Sequence, residues 1–157
     1  MKKLLFTLMI LTLYSCGETI IDSDSEYIEW TKNIIYYKGT PFSGTIVKKY
    51  SDGQLEEKIP LKDGKRDGLH EYYYENGQLW SKDSYKDGKE DGLHESYYED
   101  GQLKRKTPYK NGKKDGMEEQ YYDNGQLEGK MLFINGVTSD SVNHRNINKY
   151  FSSWGPQ

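Results

Sequence analysis

His70 and His94 stand one repeat apart, and each is followed by a carboxylate, Glu71 and Glu95. Paired histidines suggest a metal site, and a file of carboxylates suggests acid/base work. If the chain folds into hairpins that pair in order, the two histidines fall about 10 Å apart, two strand spacings. Zinc binds histidine nitrogen at about 2.0–2.1 Å, so one ion cannot reach both. The third unit carries Glu118 at that position. No metal site is expected, and both histidines are expected on an exposed sheet surface. Glu71, Glu95 and Glu119 recur at one spacing, so none is a uniquely placed partner for glycosidase chemistry. No Ser or Cys nucleophile sits with a His partner in a recognisable motif. The Asp-Gly-Lys loops at 63–65 and 87–89 lack the strand-to-helix junction of a phosphate cradle. An enzyme concentrates one site, whereas every candidate here is copied. The expectation is binding, with no catalytic residue and no cofactor.

The copying also dictates the architecture. Gly-Gln-Leu occurs at 53–55, 77–79, 101–103 and 125–127, an unbroken spacing of 24. Residues 65–88 and 89–112 are identical at 16 of 24 positions. A fixed period of this size marks a stacked array of one supersecondary unit. Each unit holds two turn signals. One set is Asp52-Gly53, Asn76-Gly77, Asp100-Gly101 and Asn124-Gly125; the other is Asp63-Gly64, Asp87-Gly88, Asn111-Gly112 and Asn135-Gly136. Asx-Gly suits tight hairpin turns whose two central residues take positive φ. Between the turns lie tyrosine-rich segments of strand length. The fold expected is all-β: an elongated antiparallel sheet of tandem hairpins over residues 34–136, with a short helix suggested further on.

Strand alternation assigns columns to faces. Leu55, Leu79, Leu103 and Leu127 form one apolar column, with Leu61, Tyr85, Tyr109 and Phe133 expected on the same face. Thr45, Leu69, Leu93 and Met117 form another, followed four residues on by Lys49, Tyr73, Tyr97 and Tyr121. Tyr50, Tyr74, Tyr98 and Tyr122 fall on the opposite face. The glycines at 68, 92 and 116 mark a bulge or a strand start, and Pro60 and Pro108 mark strands that bend away from pairing. With glycine counted and the 15 tyrosines left out, the apolar share of the chain is about 34%, against roughly 45–50% in typical soluble domains. A thick two-layer core is not expected. The net charge of −3 gives no basic stripe, so nucleic acid is not an expected partner.

The ends carry different signals. Met1-Lys2-Lys3 and the apolar run from Leu4 to Tyr14 read as a signal peptide, residues 1–15, too short to span a bilayer of roughly 30 Å. Leu13-Tyr14-Ser15-Cys16 resembles the lipobox of bacterial lipoproteins, in which the cysteine is lipidated. Cys16 is the single cysteine in the sequence, so no internal disulfide forms. Residues 16–33 are then expected to serve as anchor and polar tether, with several acyl chains such as palmitate holding the membrane. Ile34 to Gly39 reads as a degenerate half-unit covering the N-terminal edge. Residues 137–157 form a cap or tail, with Ile147, Tyr150, Phe151 and Trp154 at helical spacing.

The run Asp67-Gly68-Leu69-His70-Glu71-Tyr72-Tyr73-Tyr74-Glu75-Asn76-Gly77-Gln78-Leu79 and its copy from Asp91 to Leu103 resemble the bacterial variant of the MORN repeat. With Ile35-Tyr36-Tyr37-Lys38-Gly39 and Pro41-Phe42-Ser43-Gly44 ahead of them, the arrangement is similar to the YwqK-family antitoxins. The resemblance covers 34–136. It implies stacked antiparallel hairpins used for protein or lipid contact. Three functions follow as expectations: a lipid-anchored protein-interaction module of the cell envelope, on the outer or cytoplasmic membrane; an antitoxin or immunity protein with a toxin partner; and a cell-wall glycan-binding module. The candidate contact residues are Tyr50, Tyr74, Tyr98, Tyr122, Tyr73, Tyr97, Tyr121 and Trp80. The oligomeric expectation is a monomer or weak edge-to-edge association.

Overall fold

The computed structural model describes residues 19–138. The signal peptide, Cys16 and the C-terminal helical spacing lie outside the described residues. Four short strands come first: β1 (Ile20–Asp22), β2 (Ile28–Trp30), β3 (Ile35–Tyr37) and β4 (Thr40–Pro41). The repeats follow as β5 (Gly44–Lys49), β6 (Leu55–Lys62), β7 (Lys65–Arg66), β8 (Gly68–Tyr73), β9 (Leu79–Lys86), β10 (Lys89–Tyr97), β11 (Leu103–Lys110), β12 (Lys113–Lys114), β13 (Gly116–Tyr121), β14 (Leu127–Ile134) and β15 (Val137–Thr138). One large sheet runs in the order β1-β5-β6-β8-β9-β10-β11-β13-β14-β15, with β7 on β6 and β12 on β11. A small sheet holds β2-β3-β4. The tandem-hairpin fold expected from the period is the fold observed.

The two turn sets solve different problems. At Asp63-Gly64, Asp87-Gly88, Asn111-Gly112 and Asn135-Gly136 the Asx residue sits near φ +50° and the glycine between +75° and +86°. Both central residues are left-handed, as a type I′ turn requires. At the other set only the glycine has positive φ. There Gly53 N–H donates to the Tyr50 carbonyl at 2.9 Å and Tyr50 N–H to the Gln54 carbonyl at 2.8 Å, a longer turn ending in a left-handed glycine. The expectation of two positive φ values is corrected at these four turns. The Asx residue is useful here because its side chain accepts the N–H two residues on, Gln54 to Asp52 and Gln78 to Asn76, each at 2.9 Å.

Each of these longer turns leaves a bulge that changes the faces. Lys48 pairs with Glu57 but Lys49 with Leu55, so Glu56 has no partner across the strand. Leu55 therefore shares a face with Lys49, and Leu61, opposite Gly44, lies on the other. The expectation that the Leu55 and Leu61 columns share a face is overturned, because the bulged residue breaks the alternation.

The N-terminal edge is not purely antiparallel. β1 pairs with β5 in parallel, Ile20 opposite Thr45 and Asp22 opposite Val47. Residues 20–22 and 28–30 are thus strand, where the sequence reading had a tether; the Ile20-Ile21 pair supplies the apolar edge that makes pairing favourable. The edge strand is therefore β1, and the half-unit, expected at that edge, instead lies in the small sheet and bonds the first Asp-Gly turn. Ile35 N–H donates to the Gly64 carbonyl at 2.8 Å, and Gly64 N–H to Phe42 at 2.7 Å. Ile35 and Phe42 then join Ile46, Ile59 and Leu61 in the buried core. Beyond this cluster the sheet is a single layer.

Candidate interaction surfaces

Register places one row of side chains across each face. On the first face the row is Ile46, Ile59, His70, Asp83, His94, Thr107, Glu118 and Met131, set by Ile46 opposite Ile59, His70 and His94 both opposite Asp83, His94 opposite Thr107, and Glu118 opposite Met131. It begins as core and becomes polar. His70 is fully buried, which corrects the expectation of exposed histidines. Its ring lies 4.5 Å from Tyr72 and 5.8 Å from Tyr85, and those rings cover it. Its Nε2 bonds Glu57 Oε1 at 2.8 Å, while Nδ1 has no partner. Burial raises the Glu57 carboxyl pKa, but the His70 hydrogen bond and charge outweigh it and hold it below its ordinary value. Burial and the neighbouring Glu57 push the Tyr72 phenol up to about 12.

His94 bonds Asp83 through Nδ1, and this bond raises the histidine pKa above its ordinary value against the opposing effect of burial. In the next repeat Thr107 and Lys114 both donate to Glu118 Oε2, at 2.9 and 2.6 Å. Each repeat satisfies this row with a different pair of groups.

The second face carries Val47, Lys58, Glu71, Lys82, Glu95, Lys106, Glu119 and Lys130 in register, a ladder of alternating charge. Lys58 reaches Glu71 at 3.6 Å, Lys82 reaches Glu95 at 2.6 Å, and Lys130 reaches Glu119 at 2.6 Å. Such partly exposed pairs add little stability each, about 0–1 kcal/mol, but like charges opposite one another would be unfavourable. The ladder favours the observed register within each strand pair.

Beside this ladder runs a row containing Pro60, Leu69, Leu93, Pro108 and Met117. Leu69 is 43% exposed and Leu93 is 39% exposed. They belong to the apolar column expected from the period, and nothing among the described residues packs over them. Pro60 and Pro108 lie in strands opposite Thr45 and Leu93. β6 pairs with β8 only at Glu57 and Lys58, and β11 with β13 only at Arg105 and Lys106, so the missing proline donors fall where neighbouring repeats diverge.

The tyrosines divide into two groups. Tyr50, Tyr74 and Tyr98 each donate a hydroxyl proton to a backbone carbonyl of the following repeat, Tyr73 at 2.6 Å, Tyr97 at 2.8 Å and Tyr121 at 2.8 Å. Tyr122, with no described repeat after it, is 47% exposed. Tyr73, Tyr97 and Tyr121 lie opposite Leu79, Leu103 and Leu127, half-buried. Trp80 is 49% exposed, its ring 5.6 Å from Tyr72 and 6.4 Å from Tyr74. Column reading missed Glu57 and Asp83 as histidine partners; the signal was pairing register, which places Asp83 opposite both histidines.

Among the described residues no group of three His, Cys, Asp or Glu side chains could hold a metal ion, and no helix is long and apolar enough to cross a membrane. No curated protein matches the chain. Among solved structures, a mutant of S. aureus TarM in complex with fondaparinux, alpha-GlcNAc-glycerol and UDP is similar at 13% identity and a TM-score of 0.38 over 72% of this chain. The chain spans 21% of that protein, and a likeness this slight bears on neither fold nor activity. Residues 66–87, 90–111 and 114–135 match the MORN repeat variant. The chain is a repeat protein: three tandem segments match that repeat, and the β5–β6 hairpin ahead of them has the same design.

Proposed function

We propose that the protein is a non-enzymatic interaction module, held at the cell envelope by lipidated Cys16, that meets a protein partner with the second face of its sheet. The observation that carries this reading is the exposed row around Leu69 and Leu93, flanked by the alternating Lys/Glu ladder. An apolar core with a polar rim is the usual make-up of a protein contact. The repeats also give a stiff surface whose features recur with each hairpin, about 10 Å apart. Against catalysis stands the dispersal of every titratable pair along the sheet.

The test places a photo-crosslinkable residue at Leu93 or, as a control on the first face, at Ser96 in the full chain expressed in a bacterium. The expected result is a discrete adduct from Leu93 and none from Ser96. Equal labelling from both faces, or none from either, overturns the face assignment. Palmitate labelling of the wild type, absent in Cys16→Ser, tests the anchor; label retained in that variant refutes it.

A further inference from the structure

We propose that the protein assembles side by side with further copies of itself, the lysine-bearing turns along one margin of the sheet meeting the acidic turns along the opposite margin of the next copy. This contact uses the ends of the hairpins and is independent of the partner read for the second face. Every hairpin reverses at one margin or the other, and the two margins differ in charge. At the type I′ turns, residues 62–65, 86–89 and 110–113 hold Lys62, Lys65, Lys86, Lys89, Lys110 and Lys113 against Asp63 and Asp87. At the longer turns, residues 50–54, 74–78, 98–102 and 122–126 hold Asp52, Glu75, Glu99, Asp100 and Asp123, with no Lys or Arg. These lysines and carboxylates are all exposed.

The lysines stand where they oppose one another. Lys62 lies opposite Lys65, Lys86 opposite Lys89 and Lys110 opposite Lys113, and like charges directly opposite are unfavourable. None of the six forms an ion pair among the described residues, whereas Lys58 and Lys82, on the same strands, reach Glu71 and Glu95. Asp67, Asp91 and Asp115 are turned to the next turn, each accepting a backbone N–H at 3.1 Å. Between successive turns a groove of about 400 Å³ is lined by Lys65, Lys86 and Lys89, with Asp87, Asp91 and Asn111. Three ammonium groups there meet two carboxylates, one of them already bonded, which leaves a place for an incoming carboxylate. At the other margin the neighbouring cations are engaged: Lys48 with Glu56 at 2.7 Å, Lys49 with Asp22 at 4.0 Å, and Lys104 over the Tyr98 ring at 5.3 Å. None of the five carboxylates of that margin is in an ion pair among the described residues.

A second copy fits because both margins share one period. Each unit contributes one turn to each margin, so lysine pairs and acidic turns both recur every two strands, about 10 Å. A copy moved along the strand direction sets acidic turns against lysine pairs at every unit. An unrelated polyanion has no reason to match that spacing. The contact is head-to-tail, so it continues into rows instead of closing. Single exposed ion pairs are weak, but several in register act together.

The experiment uses the full chain with Cys16→Ser, so that no acyl anchor gathers copies, and a zero-length carbodiimide that joins a lysine to a carboxylate in contact. The two margins of one copy are about 26 Å apart, eight residues of strand at roughly 3.3 Å each, so an amide between them joins two copies. Mass spectrometry should find amides from Lys86, Lys89 or Lys110 to Glu75, Glu99 or Asp100. The yield of cross-linked dimer should fall roughly fivefold or more between about 10 mM and about 500 mM salt, as screening shortens the reach of charge. Lys86→Glu with Lys89→Glu should lower it by a similar factor, and so should Glu75→Lys with Glu99→Lys and Asp100→Lys. An equimolar mixture of these two variants should restore it, because each then offers what the other's reversed margin needs. The substituted residues are exposed, and melting curves check that both variants fold. Leu93→Asp should leave the yield unchanged, which separates this contact from the open face. Cross-linking that is absent, or that ignores salt and both charge reversals, overturns the proposal. So does a mixture that stays unlinked, or loss on lysine reversal alone, which would give the lysine row to another anion.

Discussion

Tyr74→Phe and Tyr98→Phe isolate the bond that ties one repeat to the next. Each substitution keeps the ring and removes a hydroxyl that donates at 2.8 Å to a carbonyl of the following hairpin. A typical intramolecular hydrogen bond contributes about 0.5–1.5 kcal/mol net. These hydroxyls are only part-buried, so water competes for the carbonyl and the low half of that range applies, about 0.5–1 kcal/mol each. The two sites lie one repeat apart with separate partners, so the double variant should lose about 1–2 kcal/mol by addition. Tyr50→Phe should act in the same direction. Tyr122→Phe is the comparison: it has the same local sequence, but Tyr122 is 47% exposed, and its cost should be smaller. Urea denaturation of the full chain, with an unchanged slope, reads the differences as midpoint shifts. Equal losses for Tyr122→Phe and Tyr74→Phe would show that the hydroxyl acts within its own turn, and the inter-repeat account would fail.

Two further outcomes follow from the first face and the turns. Because the bond to Asp83 raises the His94 pKa above its ordinary 6.5, the pair's contribution is fully present below that ordinary value and is lost as pH rises through the folded-state value. Glu90 supports the protonated form and Arg105 opposes it. Stability measured across this range should decline with rising pH, and His94→Gln should flatten the decline; an unchanged slope in that variant refutes the assignment. Gly64→Ala and Gly112→Ala share nearly the same φ, +75° and +79°, so their backbone strain is similar. The added methyl at 64 would sit 2.7 Å from the Ile35 carbonyl oxygen and 2.5 Å from the Ile34 side chain, whereas at 112 nothing lies within 4 Å. Gly64→Ala should therefore be the more damaging by thermal melting, and equal losses would remove the half-unit from its place against this turn.

The period, the hairpins and their order were legible in the sequence because Asx-Gly pairs and glycine columns act locally and identically in every unit. The faces were less legible. A bulge before Glu57 shifts the parity of Leu55 without any residue that announces it. The Leu69 and Leu93 column was legible as apolar, but that the sheet leaves it open, with no second layer among the described residues, shows only in the structure. His70 read as exposed, because its cover comes from Tyr72 beside it and Tyr85 across the strand. Ile20 and Ile21 were absorbed into a tether because three residues are too few to display alternation. The Lys/Glu ladder was present as two polar columns, and register alone turns two columns into one alternating row.

Near-identical units raise a problem that non-repetitive sheets escape. A hairpin that pairs one whole unit out of place meets the same turns, the same Lys/Glu partners and the same tyrosine acceptors, so the second face penalises the error weakly. Discrimination falls to the first face, whose cross-strand partners change from unit to unit: isoleucine with isoleucine, histidine with aspartate, histidine with threonine, glutamate with methionine. A hairpin shifted by one unit would set Ile59 against His94 or strand Asp83 beside Glu118. The variable row thus works as an address that tells otherwise interchangeable hairpins which neighbour is theirs.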